Sequence, residues 1–303
     1  MFDTKYVDQI RLVLRCLPEI SKQTCFALKG GTAINLFLRD LPRISVDIDL
    51  SYLPIKPRNE SLQGISNALK SIKRDIFAGI DNCKITEETL QEYTIRLQVN
   101  TLNASITIEP NLILRGFVFE PQTRSLVKTA QDLFHAFVTT LTMAEPDIYG
   151  GKICAALDRQ HPRDLFDIKL LLESTGLTHD IRRAFVIYLA GHDRPIGELL
   201  DPQFKDISQL HLSQFSGMAR TEVTLDELYT TRQRLVQIIR KELDPAERQF
   251  LLSIKRGEPD WDILGINHIK ELPAIQWKLQ NLAKMEKSKH KTAVDKLRKI
   301  LDI

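Results

Sequence analysis

Four cysteines, at positions 16, 25, 83 and 154 of 303 residues, are too few and too scattered for a disulfide scaffold. No CxxC or comparable zinc spacing occurs, so they read as buried thiols in a reducing cytosol. No apolar run approaches the roughly 18 residues that a membrane helix needs. The start, Met1-Phe2-Asp3-Thr4-Lys5, lacks the basic and apolar segments of a secretory signal. A soluble cytoplasmic protein with no membrane partner is therefore expected. The seven histidines show no HxH or HxxxH spacing, which argues against a histidine metal centre. Gly-x-Ser-x-Gly and Gly-x4-Gly-Lys-Ser/Thr are both missing. Neither sign of charge dominates, since 42 Lys and Arg against 39 Asp and Glu leave +3, so the chain is not histone-like. Aromatic residues are sparse and do not interleave with the basic C-terminal segment, so a stacking platform for single strands is not evident.

What is present suffices for an ordinary core, with 43% hydrophobic residues and a length suited to about two domains. Residues 6–17 have helical periodicity, which Pro18 is expected to close. Phe26-Ala27-Leu28 reads as a strand entering a tight turn at Gly30-Gly31, with a helix from Ala33 to Leu38. Ile44 to Ser51 alternates as a strand, with Ser45, Asp47, Asp49 and Ser51 on its polar side. A helix over about 60–77 and two strands, Tyr93–Asn100 and Ala104–Glu109, follow. Helical signals dominate from about 131 onward. The expected fold is α+β: a mixed-sheet domain with helices over residues 1–130, then a mostly helical domain over 131–303. The charge is uneven, because residues 278–299 hold eight Lys or Arg against Glu286 and Asp295. Such a helix is either a solvated surface or a contact for an anionic polymer.

The candidate chemistry starts at Gly30-Gly31-Thr32. Glycines let backbone approach a ligand closely, Thr32 could cap the following helix, and free N–H groups there accept phosphate. The same triplet also serves as a plain turn and cap. Asp47 and Asp49, two apart on a strand, leave one face about 6–7 Å apart. Their repulsion is about 2–3 kcal/mol at an effective dielectric near 20, which water or a cation must relieve. Mg²⁺ suits carboxylates plus substrate phosphates; a wet outer strand face is the alternative. Glu109, on a strand whose other face is apolar, is a third acid, and three carboxylates can hold two metals. It could equally be a surface residue at a strand end. A second cluster runs through Lys152, Arg159, Arg163, Asp164 and Asp167. Lys152 and Arg159 share a helix face and could neutralise charge on a triphosphate, or Lys152 is merely exposed. Pro162 fits a first helical position and Asp164 suits the macrodipole there.

Together these segments resemble the AbiEii-type nucleotidyltransferase toxins of the DNA polymerase β-like superfamily. Leu28-Lys29-Gly30-Gly31-Thr32-Ala33-Ile34-Asn35-Leu36-Phe37 with Arg43-Ile44-Ser45-Val46-Asp47-Ile48-Asp49-Leu50 is similar to the family's first motif. Ile108-Glu109 through Gly116, and Lys152 to Leu157 with Arg159 and Arg163-Asp164-Leu165-Phe166-Asp167, resemble later ones. The resemblance spans nearly the whole chain. It implies a nucleotidyltransferase domain followed by a helical domain, and a toxin of a toxin–antitoxin or phage-defence system. The implied reaction adds nucleotides from an NTP to RNA, at the 3′ end of tRNA, and blocks translation. The implied partner is a winged-helix antitoxin. By position, Asp47 and Asp49 would bind metal, Gly30, Gly31 and Thr32 would hold phosphate, and Lys152 and Asp164 would be essential. Gly-Gly-Thr departs from the Gly-Ser common in the superfamily, and Gly150-Gly151 weakens the helix that should aim Lys152. Two other readings stay open: transfer to a small molecule or protein hydroxyl, and a non-catalytic nucleotide- or partner-binding module.

Overall fold

The computed structural model describes residues 4–303. These divide into two units: residues up to Ala144 with Ser216–Glu222, and Glu145–Phe215 with Val223–Ile303. In the first unit α1 (Thr4–Ser21) buries Ile10, Val13, Leu14 and Leu17. Pro18 does not end it. The proline lies on the exposed side between buried Leu17 and Ile20, and Ser21 Oγ donates to Leu17 O at 2.8 Å. Burial on the opposite face thus outweighs the missing proline N–H.

β1 (Phe26–Lys29) passes directly into α2 (Gly30–Ala33) and a π-helical turn (Ile34–Leu38), so the helix begins at Gly30 rather than Ala33. The remaining elements are β2 (Ile48–Tyr52), α3 (Arg58–Gly79), β3 (Lys84–Leu90), β4 (Tyr93–Asn100), β5 (Ser105–Asn111), β6 (Gln122–Ser125), α4 (Lys128–Phe134) and β7 (Thr139–Thr142). The strands form one seven-stranded sheet in the order β3-β4-β5-β2-β1-β7-β6. β2 runs antiparallel to β1 and parallel to β5, and β7 is parallel to β1, so the sheet is mixed. Leu28 and Leu50 oppose each other across β1 and β2, and both are buried. Ile106 and Ile108 of β5 and Leu97 and Val99 of β4 extend this core, with Ile65, Leu69 and Ile72 of α3 also buried.

Three strands had no sequence signal. β3 is a polar edge strand held by β4 and by Glu87, which pairs with Lys73 at 2.6 Å. β6 and β7 are short and hydroxyl-rich, and β7 lies beyond residue 131, in the stretch expected to be mostly helical. The strand expected over 44–51 is shorter. Arg43 bridges to Ala219 and the Ile44 N–H donates to Met218 O at 2.8 Å, while residues 45–47 follow an irregular path into β2.

The second unit consists of α5 (Glu145–Asp158), α6 (Pro162–Glu173), α7 (His179–Ala190), α8 (Ile196–Leu200), α9 (Ser208–Gln214), α10 (Leu225–Glu242), α11 (Pro245–Arg256), a 3-10 turn (Asn267–Glu271), α12 (Pro273–Ala283) and α13 (Lys287–Leu301). Pro162, Pro245 and Pro273 sit at helix starts, where their missing N–H costs nothing. Capping boxes at Thr224/Glu227 and Asp244/Glu247 fix the starts of α10 and α11. Among the described residues no helix is long and apolar enough to cross a membrane. The thiols are only partly as expected: Cys16 and Cys154 are buried, but Cys25 and Cys83 are half-buried. Burial pushes the Cys16 thiol up to about 12.

Candidate active site

In the first unit, Asp49 on β2 and Glu109 on β5 lie near the glycines that open α2, and Asp47 lies just before β2. Asp49 stands between two strand neighbours, opposite Lys29 on β1 and opposite Glu109 on β5. Gly30 follows at a φ of +70°, and a Cβ built there would lie 2.2 Å from Asp49 Oδ2. The carboxylate therefore occupies the space a side chain would take, and only glycine satisfies both the left-handed backbone and the close approach. Asp49 is half-buried and has no hydrogen-bond or ion-pair partner among the described residues. A half-buried carboxylate with no partner among the described residues suits a hard cation or a ligand donor.

Asp47 is also half-buried but precedes β2 rather than lying on it. Its backbone is fixed from the glycine turn, because Thr32 Oγ1 donates to Asp47 O at 2.5 Å. Thr32 is fully buried inside α2, whose N-cap is Lys29, so the expected cap at Thr32 is not formed. Its hydroxyl aligns Asp47 instead. Glu109 pairs with Arg96 at 2.8 Å and its side chain is 46% exposed. Among the described residues no group of three or more His, Cys, Asp or Glu is placed to hold a metal ion. Asp47 and Asp49 are the two oxygen donors beside the glycine turn.

Two residues at this turn had been assigned to no role. A Cβ at Gly31 would meet Ser45 Oγ at 2.6 Å and Arg43 Nη2 at 2.7 Å. Arg43 is buried and donates to Ile44 O at 2.8 Å, and Ser45 is buried beside it. Alternation placed Ser45 on a wet strand face. Its burial follows from the irregular path of residues 43–47.

In the second unit, α5 and α6 bring together Lys152, Arg159, Asp164 and Asp167. Lys152 is 6% exposed, and its Nζ lies 2.9 Å from Asp164 and 3.0 Å from Asp167. It is not a surface lysine. Gly150 lets α5 approach α7, since a Cβ there would meet Phe185 N at 2.8 Å, and the helix already starts at Glu145. Arg159 grips Asp164 with two bonds, Nε to Oδ2 at 2.5 Å and Nη2 to Oδ1 at 3.0 Å, while its side chain stays 63% exposed. Burial alone would raise the Asp164 carboxyl; Lys152 and Arg159 outweigh it and hold the group well below the usual carboxylate range. His161 caps α6, its Nδ1 accepting from the Arg163 N–H at 3.1 Å, and burial lowers its pKa so that the neutral acceptor form persists. Asp164 lies in the first turn after Pro162, as expected; Arg163 sits beside it, half-buried.

The first unit is thus a mixed sheet with two acids beside a glycine turn, and the second carries a buried Lys/Arg/Asp cluster. The family model described as "Nucleotidyl transferase AbiEii toxin, Type IV TA system" matches residues 11–281, and the chain belongs to that family. It is thus a nucleotidyltransferase toxin of a type IV toxin–antitoxin system, whose class uses a nucleoside triphosphate and a cognate antitoxin. The fold is similar to that of MenT4, a nucleotidyltransferase toxin from Mycobacterium tuberculosis H37Rv. The match has a TM-score of 0.62 at 15% identity, covering 92% of this chain and 95% of that one. No curated protein matches the chain.

Proposed function

We propose that this toxin transfers nucleotides from an NTP to the 3′ end of tRNA with Mg²⁺ and so blocks translation. The observation that carries the reading is Asp49: a half-buried carboxylate without a partner among the described residues, pressed onto Gly30 and in register with Glu109. Asp47 and Asp49 would hold the metal, with Glu109 beside them. When bound, the metal would offset phosphate charge and make a 3′ hydroxyl more acidic.

The chain's own groups do the rest. The backbone of Gly30, Gly31 and Thr32 holds phosphates, and the Thr32 hydroxyl keeps Asp47 in place. Asp164 positions Arg159, the exposed member of the helical unit's cluster, to neutralise phosphate charge. Lys152 balances Asp164 and Asp167 and so keeps that geometry. Arg163 completes the cationic set. Neutralisation by a winged-helix antitoxin, phage defence and a cytoplasmic location accompany this reading on the family resemblance.

The test is incubation of the purified chain with labelled NTPs, Mg²⁺ and total tRNA. Label should enter tRNA with wild type and not with Asp49→Asn. A folded wild type that labels no RNA, or labels a protein or small molecule instead, overturns the reading. In cells, wild type should arrest growth while Asp49→Asn and Lys152→Ala, expressed equally, should not.

A further inference from the structure

The sequence offered no stacking platform, yet the helical unit builds one at Phe204. This residue lines a groove of about 480 Å³ with Leu157, Arg194, Pro202, Lys205 and Lys296. Its ring is backed by the Arg232 guanidinium, 4.4 Å from the centroid, and that guanidinium lies 4.9 Å from the Tyr229 ring as well. Phe204 nonetheless remains 46% exposed.

The platform is fastened from below. Buried Gln160 donates through Nε2 to Gln203 O at 2.8 Å and accepts from the Lys205 N–H at 3.0 Å. Arg232 Nη1 donates to Gln160 Oε1 at 2.8 Å and to Lys205 O at 2.7 Å. Buried polar groups thus hold the Gln203–Lys205 backbone while the aromatic ring faces outward. An exposed ring on a fixed support, stacked on a cation, is the arrangement that accepts a flat base.

The charges beside it suit a phosphate. Of the groove's acids, Asp158 is paired with Arg194 at 2.5 Å and Asp201 with Arg240, while Glu198 lies 3.9 Å from Arg194. Lys296 has no ion-pair or hydrogen-bond partner among the described residues. It comes from α13, which buries Leu297 and Leu301 and exposes Lys287, Lys289, Lys291, Arg298 and Lys299 along the same helix.

We propose that this groove binds one nucleotide of single-stranded RNA, its base on Phe204 and its phosphate at Lys296, with α13 carrying the neighbouring phosphates. The choice of RNA rests on the proposed acceptor; the groove itself rests on the aromatic–cation geometry. The test uses the full chain and a fluorescent 12-nucleotide RNA, followed by anisotropy over a salt series without NTP or metal. Phe204→Ala should weaken binding by about tenfold and leave the salt slope unchanged, and Phe204→Trp should restore affinity. Lys296→Ala should lower the slope of log K against log salt by about 0.7. Wild-type affinity in Phe204→Ala overturns the proposal, as does an equal loss in Phe204→Ala and Phe204→Trp when both melt like wild type. Because no transfer is measured, a chain that binds with this signature but labels no RNA sinks the acceptor reading and leaves the groove standing.

Discussion

The Asp49 carboxylate fills the space above Gly30 that any other residue's Cβ would occupy, 2.2 Å away. Gly30→Ala therefore has two costs: a left-handed backbone worth about 1–2 kcal/mol and displacement of the proposed metal ligand. Nucleotide transfer should fall by at least about 100-fold, while urea unfolding should show a loss of only about 1–3 kcal/mol. A variant that is fully active would show that Asp49 need not sit where the structure places it.

Glu109 tests how many acids matter. Its carboxylate is shared with Arg96, whereas Asp49 is open. Glu109→Gln should lower transfer only several-fold and leave the Mg²⁺ concentration for half-maximal rate within about threefold. Asp49→Asn should abolish transfer, because the proposed metal would lose a charged ligand that has no other partner among the described residues. Equal losses in a metal titration of both variants would make Glu109 a full ligand.

Asp164 gives the stability of the helical unit a definite pH dependence. Its folded pKa is depressed well below the ordinary 3.8, so the ion pairs with Lys152 and Arg159 stabilise fully above about pH 4. That contribution is lost as the pH falls below this value, when the unfolded chain takes up a proton first. Lys152→Met should cost about 3–5 kcal/mol at pH 7, because Asp164 and Asp167 keep buried charges with less compensation. Denaturant melts of wild type and variant at pH 7 and pH 3 should converge on acidification. Curves that stay equally separated would mean that the carboxylates do not report on Lys152.

What could be read in the sequence divides along physical lines. Periodicity found α3 and β5, because each buries one apolar face, and β4 was found as the partner strand before a short turn. The candidate acids and the Lys/Arg/Asp cluster were also legible, since carboxylates and cations at short spacing are few. The path of residues 43–47 was not, because alternation cannot reveal that Arg43 and Ile44 pair with a segment more than a hundred residues away. Ser45 was misassigned for that reason. β3, β6 and β7 lacked apolar alternation, and Pro18 misled because local propensity yields to tertiary burial. The Phe204 platform is assembled from residues 160, 203–205, 229 and 232, a separation that no local motif spans.

The pair Gly150 and Gly151 separates packing from propensity on one helix. A Cβ at Gly150 would strike the α7 backbone, 2.8 Å from Phe185 N and 2.9 Å from Ala184 C, so Ala there must push α5 away from α7. Gly151 has nothing within 4 Å of the same added atom. Gly151→Ala should therefore stabilise the chain by about 0.4–1 kcal/mol, since alanine loses less backbone entropy in a helix. Gly150→Ala should destabilise it by about 1–3 kcal/mol as an overpacked contact. Because Lys152 lies on the same helix and reaches Asp164 and Asp167 on α6, Gly150→Ala should also lower nucleotide transfer, and Gly151→Ala should leave it unchanged. Thermal melts and transfer rates measured side by side check this. If both variants gain stability, α5 does not pack on α7 as closely as the structure shows.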